Sequence, residues 1–132
     1  MTEPLMTIRE MVDTFEVTAR TLRFYEAKEL LSPIREGQKR LFTKRDQARL
    51  KLILRGKRFG FALEEIRQLL DLYDMGDQQQ TQLRATHKIA QRHLADLKAK
   101  RAELDEAISD LSEQLDWATG MLASFEAQDA AE

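Results

Sequence analysis

Arg20 and Arg23 lie one helical turn apart with Thr21 between them, Tyr25 follows closely, and two basic pairs, Lys39-Arg40 and Lys44-Arg45, come soon after. A guanidinium fork matches the O6 and N7 acceptors of guanine and also binds phosphate. A hydroxyl can donate to phosphate, and lysine adds a compact positive charge. Such a set, met on one helix and the segment after it, suits duplex DNA. It does not suit catalysis, because no nucleophile with its base, phosphate-cradling glycine loop or metal cluster accompanies it. On this reading Arg20 and Arg23 meet base edges or nearby phosphates, Thr21 offers a hydroxyl, and Tyr25 bonds a phosphate. Lys39, Arg40, Lys44 and Arg45 meet the flanking backbone.

The elements that must hold these residues are legible from cap signals. Thr7-Ile8-Arg9-Glu10 has the form of a capping box, which predicts a first helix from about Ile8 to Phe15. Thr18 can cap a second helix running to about Lys28. The link between them is short, as two steeply crossed helices need, although Glu16 stands where a helix-turn-helix often carries glycine. Pro33 ends helical structure, and Glu36-Gly37-Gln38 predicts a tight turn between Ile34 and Lys39 to Phe42, a small wing. Thr43 opens a third helix that buries Leu50, Ile53 and Leu54 and ends at Gly60. A fourth, from about Leu63 to Tyr73, repeats Leu63, Ile66, Leu69 and Leu70 at helical spacing but has only Ala62 in its cap position.

Composition restricts the rest. The chain has 132 residues, 42% of them hydrophobic, a formal net charge of -2 and no cysteine. One modest core is affordable at that length. Lacking cysteine, the chain has no disulfide, thiolate metal site or thiol nucleophile. The start lacks a signal-peptide core and no run is long enough to span a bilayer, so a cytoplasmic protein with no membrane partner is expected. Charge is unevenly distributed. From Arg35 to Arg58 ten Lys or Arg face only Glu36 and Asp46, whereas after Arg101 there is no basic residue. A basic face for a polyanion follows.

From Gln79 onward the period changes to a heptad. One column holds Leu83, Ala90, Leu97, Leu104, Leu111, Ala118 and Phe125; the other holds His87, Leu94, Arg101, Ile108, Leu115 and Leu122. So narrow a seam is a coiled-coil surface and requires a partner helix. Arg84 to Arg101 is basic apart from Asp96, and Glu103 to Asp116 is acidic. Parallel pairing would stack like charges, so an antiparallel homodimer is expected, with Arg101 near the crossing where it fixes register. His87 and His93 are six residues apart, off the spacing that puts two ligands on one face, and read as incidental.

The run from Thr7 to Leu70, with its blocks Thr21-Leu22-Arg23-Phe24-Tyr25-Glu26, Leu30-Leu31-Ser32-Pro33, Arg40-Leu41-Phe42 and Phe59-Gly60-Phe61-Ala62-Leu63-Glu64-Glu65-Ile66, resembles the MerR family of bacterial transcriptional regulators. The resemblance implies a mainly α fold: a winged helix-turn-helix DNA-binding domain over residues 1–75, a long dimerisation helix over 76–119 and a short tail over 120–132. It also implies a dimer that straddles a pseudo-palindromic promoter and distorts it, changing how RNA polymerase meets the promoter elements. The family often carries a second tyrosine where Phe24 stands, so one hydroxyl contact is missing here.

Members that sense metals or oxidants use cysteines beyond the long helix, so metal and redox sensing are not expected, and no cofactor is expected either. Short cysteine-free members include regulators of fatty acid and branched-chain amino acid breakdown, which implies a metabolite such as an acyl-CoA. Trp117, Met121, Leu122 and Phe125 would build its pocket against the partner's helices; the rival reading has them simply closing the ends of the coil. A winged-helix adaptor or chaperone modulator without specific DNA binding is the alternative function, against which the basic run argues. An enzyme is not expected.

Overall fold

The computed structural model describes residues 4–74 and 80–131. The chain begins with β1 (Met6–Thr7) and α1 (Ile8–Phe15), followed by α2 (Ala19–Ala27), β2 (Ile34–Glu36) and β3 (Lys39–Phe42). Then come α3 (Lys44–Phe59), α4 (Leu63–Asp74) and α5 (Gln80–Ala131). The fold is mainly helical with one small sheet. The start expected at Gln79 and the domain boundary expected at residues 75 and 76 lie outside the described residues.

The predicted caps are formed. Thr7 accepts from the Glu10 amide while Glu10 accepts from the Thr7 amide, a complete capping box for α1. Thr18 and Thr43 each accept from the third residue of the following helix. Gly60 ends α3 with φ 89°, a left-handed conformation that glycine adopts without cost. Glu16 takes the same kind of conformation, φ 56° and ψ 45°, at the turn between α1 and α2. A side chain in this region is strained, so Glu16→Gly is expected to stabilise the fold by about 0.5–1 kcal/mol, the relief being partly offset by the freer unfolded chain. Urea denaturation of the two proteins checks it; an unchanged or lower midpoint would mean the turn tolerates glutamate without strain.

The wing is a hairpin of β2 and β3 in which Arg35 faces Arg40 across the strands. β1 adds a third strand, pairing Met6 with Phe42 and Thr7 with Leu41, for a sheet order of β1-β3-β2. That strand was not expected: two residues carry no periodicity. Met11, Leu22, Tyr25, Leu30, Leu31, Phe42, Leu50, Ile53, Ile66 and Leu70 form one buried cluster beneath α1 to α4 and the wing. Gly56 lets α3 and α4 approach closely, since a Cβ there would lie 2.9 Å from Ile66 Cγ1. Leu54, expected among the buried face of α3, is only partly buried and packs at the edge of the cluster.

Two compact units divide between His93 and Leu94. The first contains the core and the opening turns of α5. The second is the rest of that helix. α5 has 52 residues and does not end near residue 119 as expected. Residues 120–131 are helical rather than a separate tail, because no proline interrupts them and Met121-Leu122-Ala123 and Glu126-Ala127 favour helix. A glycine at position 120 costs about 1 kcal/mol relative to alanine, too little to break so long an element.

Candidate nucleic-acid interface

Two residues of α2, Leu22 and Tyr25, are buried, and this fixes which face the helix turns outward. Arg20, Arg23, Phe24 and Lys28 are exposed on the other side. The two arginines expected to meet DNA thus share one outward face, with the Lys28 ammonium 5.8 Å above the Phe24 ring. Lys39, Lys44 and Arg45, on the wing and at the start of α3, are also exposed.

Other assignments change. Tyr25 is 1% exposed, and its hydroxyl is buried with no hydrogen-bond partner among the described residues. In this structure its ring belongs to the core, so the direct phosphate bond expected of Tyr25 is not presented at the surface. Period alone could have shown this: Leu22 and Tyr25 are three apart, as inward residues on one helix are. The Thr21 hydroxyl lies 2.8 Å from that of Thr18 and is already engaged at the N-cap.

Arg40 is held within the protein as well. Glu26 near the end of α2 places one carboxylate oxygen 2.5 Å from Arg40 Nε and the other 3.2 Å from Arg35 Nε. The basic run is therefore not a uniformly solvated face. Arg49 Nε donates to the Leu30 carbonyl at 2.8 Å, and Arg67 Nη2 donates to the Lys28 carbonyl. Arg67 thus sits at the carbonyl end of α2, whose C-cap is Lys28 and where the helix dipole favours positive charge, and Arg49 ties down the loop that follows. The buried Asp46 accepts from the Ser32 amide at 3.0 Å, fixing the chain as it enters the wing. These contacts hold the reading helix and wing as one body.

The start of α5 is fixed by a cluster not anticipated from sequence. Glu65 Oε1 accepts from the Ala62 amide at 2.9 Å, the half of a capping box that needs no side chain from Ala62, and lies 2.9 Å from His93 Nε2. Arg92 pairs with the other oxygen, and the His93 ring stacks on Phe61 with centroids 4.7 Å apart. His93 is thus no incidental residue. Nothing local marked it, because its partner lies 28 positions earlier.

The Ala62 amide, joined by His93 and Arg92 and opposed by partial burial, holds the Glu65 carboxyl below its ordinary value of 4.5. A carboxyl depressed in the folded state contributes stability that is full above its unfolded value and is lost as pH falls through the folded one. The chain is expected to lose denaturation midpoint on acidification below about pH 4.5, and Glu65→Gln to lose less over that interval. Equal acid slopes for the two proteins would refute it.

Sequence comparison agrees with this arrangement. The MerR HTH family regulatory protein model matches residues 6–72, and the model described as MerR, DNA binding matches residues 47–114. The HTH-type transcriptional regulator ZntR of Escherichia coli (strain K12) is 36% identical over 99 residues, which cover 74% of this chain and 69% of ZntR. The transcription regulator PbrR691 from Ralstonia metallidurans CH34, solved in complex with lead(II), is 33% identical, with a TM-score of 0.60 over 82% of this chain and 84% of that one. A putative MerR family regulator from Listeria monocytogenes has the same fold, with a TM-score of 0.72 and 24% identity over 94% of each chain. An outward arginine face on a capped second helix, a wing and a long following helix, together with these matches, make the chain a DNA-binding transcriptional regulator of the MerR family.

Proposed function

We propose that the protein works as an antiparallel homodimer that binds a pseudo-palindromic promoter and distorts it, altering how RNA polymerase meets the promoter. The observation that carries this reading is the pairing of an exposed arginine face on α2 with an exposed apolar seam on α5. Leu83, Leu94, Leu97, Leu104, Ile108, Leu111 and Leu115 are all exposed in the single chain, as are Ala90 and Arg101. A repeating row of leucines left in water is unfavourable and is covered most simply by a second α5. The basic stretch up to Arg101 and the acidic one after Glu103 favour opposite directions for the two helices. Two α2 helices on one dimer then read two half-sites.

The effector belongs to the far end of α5. Trp117, Met121 and Phe125 follow at i, i+4 and i+8, and Trp117 is 66% exposed. With a partner's helix opposite, they form one side of an apolar pocket, which suits a metabolite with an acyl chain such as an acyl-CoA. The relative PbrR691 was solved with lead(II), but thiolate ligation is unavailable to a chain without cysteine. Among the described residues no helix is long and apolar enough to cross a membrane.

The test is selection of duplexes from a random pool by the full chain, followed by footprinting. Two protected half-sites with inverted symmetry are expected. Failure to select any sequence in dilute salt would overturn the reading. Trp117 fluorescence titrated with acyl-CoA tests the effector, and an unchanged spectrum would remove it.

A further inference from the structure

Glu26 puts a negative charge among the wing's cations, where it opposes binding to a polyanion. We infer that Glu26 is a specificity-determining positioning residue, which holds the wing arginines Arg35 and Arg40 so that they serve a fitted duplex and are withheld from an ill-fitting one. The inference rests on the DNA-binding reading and goes beyond it.

The geometry supports this division. Each oxygen of one carboxylate takes one arginine, and each arginine is held through Nε. A guanidinium carries five N–H donors, so engaging Nε on Glu26 leaves the terminal Nη groups as donors for a second anion. The two arginines are cross-strand partners at the centre of the hairpin, and Glu26 belongs to the helix that carries Arg20 and Arg23. One carboxylate therefore ties the distance between wing and reading helix to the aim of both guanidinium groups. On a duplex whose bases suit α2, phosphates fall within reach of those Nη donors while Nε stays on Glu26, and both ion pairs survive. On any other duplex an arginine reaches phosphate only by leaving Glu26. Exposure of the side chains, 53% for Arg35 and 21% for Arg40 and Glu26, keeps the pairs accessible to that competition. Counterion release otherwise rewards every cation equally whatever the sequence. Glu26 makes the wing's share depend on fit.

The experiment compares the duplex selected by the wild-type chain with a shuffled duplex of the same length and composition, across a salt series. Glu26→Gln keeps the shape of the side chain and removes its charge. It is expected to bind the shuffled duplex about fivefold more tightly, as the loss of exposed ion pairs would release, and to steepen its salt slope by about one. Affinity for the selected duplex should not rise, so the ratio of the two falls. Arg35→Gln, at a side chain 53% exposed, is expected to weaken the selected duplex while leaving the shuffled one nearly unchanged. An ordinary phosphate contact would weaken both alike. An unchanged ratio and slope in Glu26→Gln would overturn the inference. So would equal weakening on both duplexes with an unchanged slope and a lower melting temperature, which is the signature of a scaffold residue. If the wild-type chain selects no sequence at all, the DNA-binding reading falls and takes this inference with it.

Discussion

Replacing Leu104 and Ile108 together by arginine is expected to leave the protein monomeric and to cut its affinity for a duplex with two half-sites by about 100-fold or more. The two side chains are one turn apart on α5 and are 62% and 61% exposed in the single chain. In a symmetric pair each substitution counts twice, so four apolar side chains are lost from the seam. At about 1.5–3 kcal/mol for each buried aliphatic side chain, the loss is about 6–12 kcal/mol. A micromolar dimer is held by only about 8 kcal/mol. The second reading head then binds without the first, and the gain from tethering disappears. Sedimentation equilibrium and a mobility shift on duplexes with one and two half-sites check both parts. A variant that remains dimeric would show that the seam is not the contact between copies.

Arg23→Ala is expected to weaken the selected duplex by about 1–3 kcal/mol, roughly 5- to 150-fold, with a much smaller effect on a shuffled one. Arg23 lies on the exposed face of α2 opposite Tyr25 and Leu22, which the core holds in place. Its guanidinium is therefore carried on a helix whose rotation is fixed. Lys39 on the wing provides the contrast: Lys39→Ala should weaken every duplex alike and reduce the salt slope by about one. If Arg23→Ala also weakens all duplexes equally, Arg23 meets phosphate rather than base edges.

Most elements could be read from the chain because their signals are local. Thr7 with Glu10, Thr18, Thr43 and Gly60 each act within four residues, and each marks a helix end that the structure reproduces. The wing followed from Pro33 and Gly37 on the same grounds. What escaped was set by distance along the chain. Glu26 meets Arg40 across 14 positions and His93 meets Glu65 across 28, and no periodicity links such pairs. By charge the basic run forms one face, yet folding assigns Arg35, Arg40 and Arg49 to partners within the protein. Glu16 lies between the two cases. Its position is one where a helix-turn-helix often carries glycine, and the backbone there is left-handed.

One carboxylate both caps α4 and anchors α5. Glu65 cannot turn toward His93 and Arg92 without also affecting the Ala62 amide it accepts from. Any strain that loosens the base of α5 is thus felt at a single peptide group in the corner after α3. The exchange of that hydrogen with deuterated solvent becomes a built-in gauge of how firmly the long helix is seated.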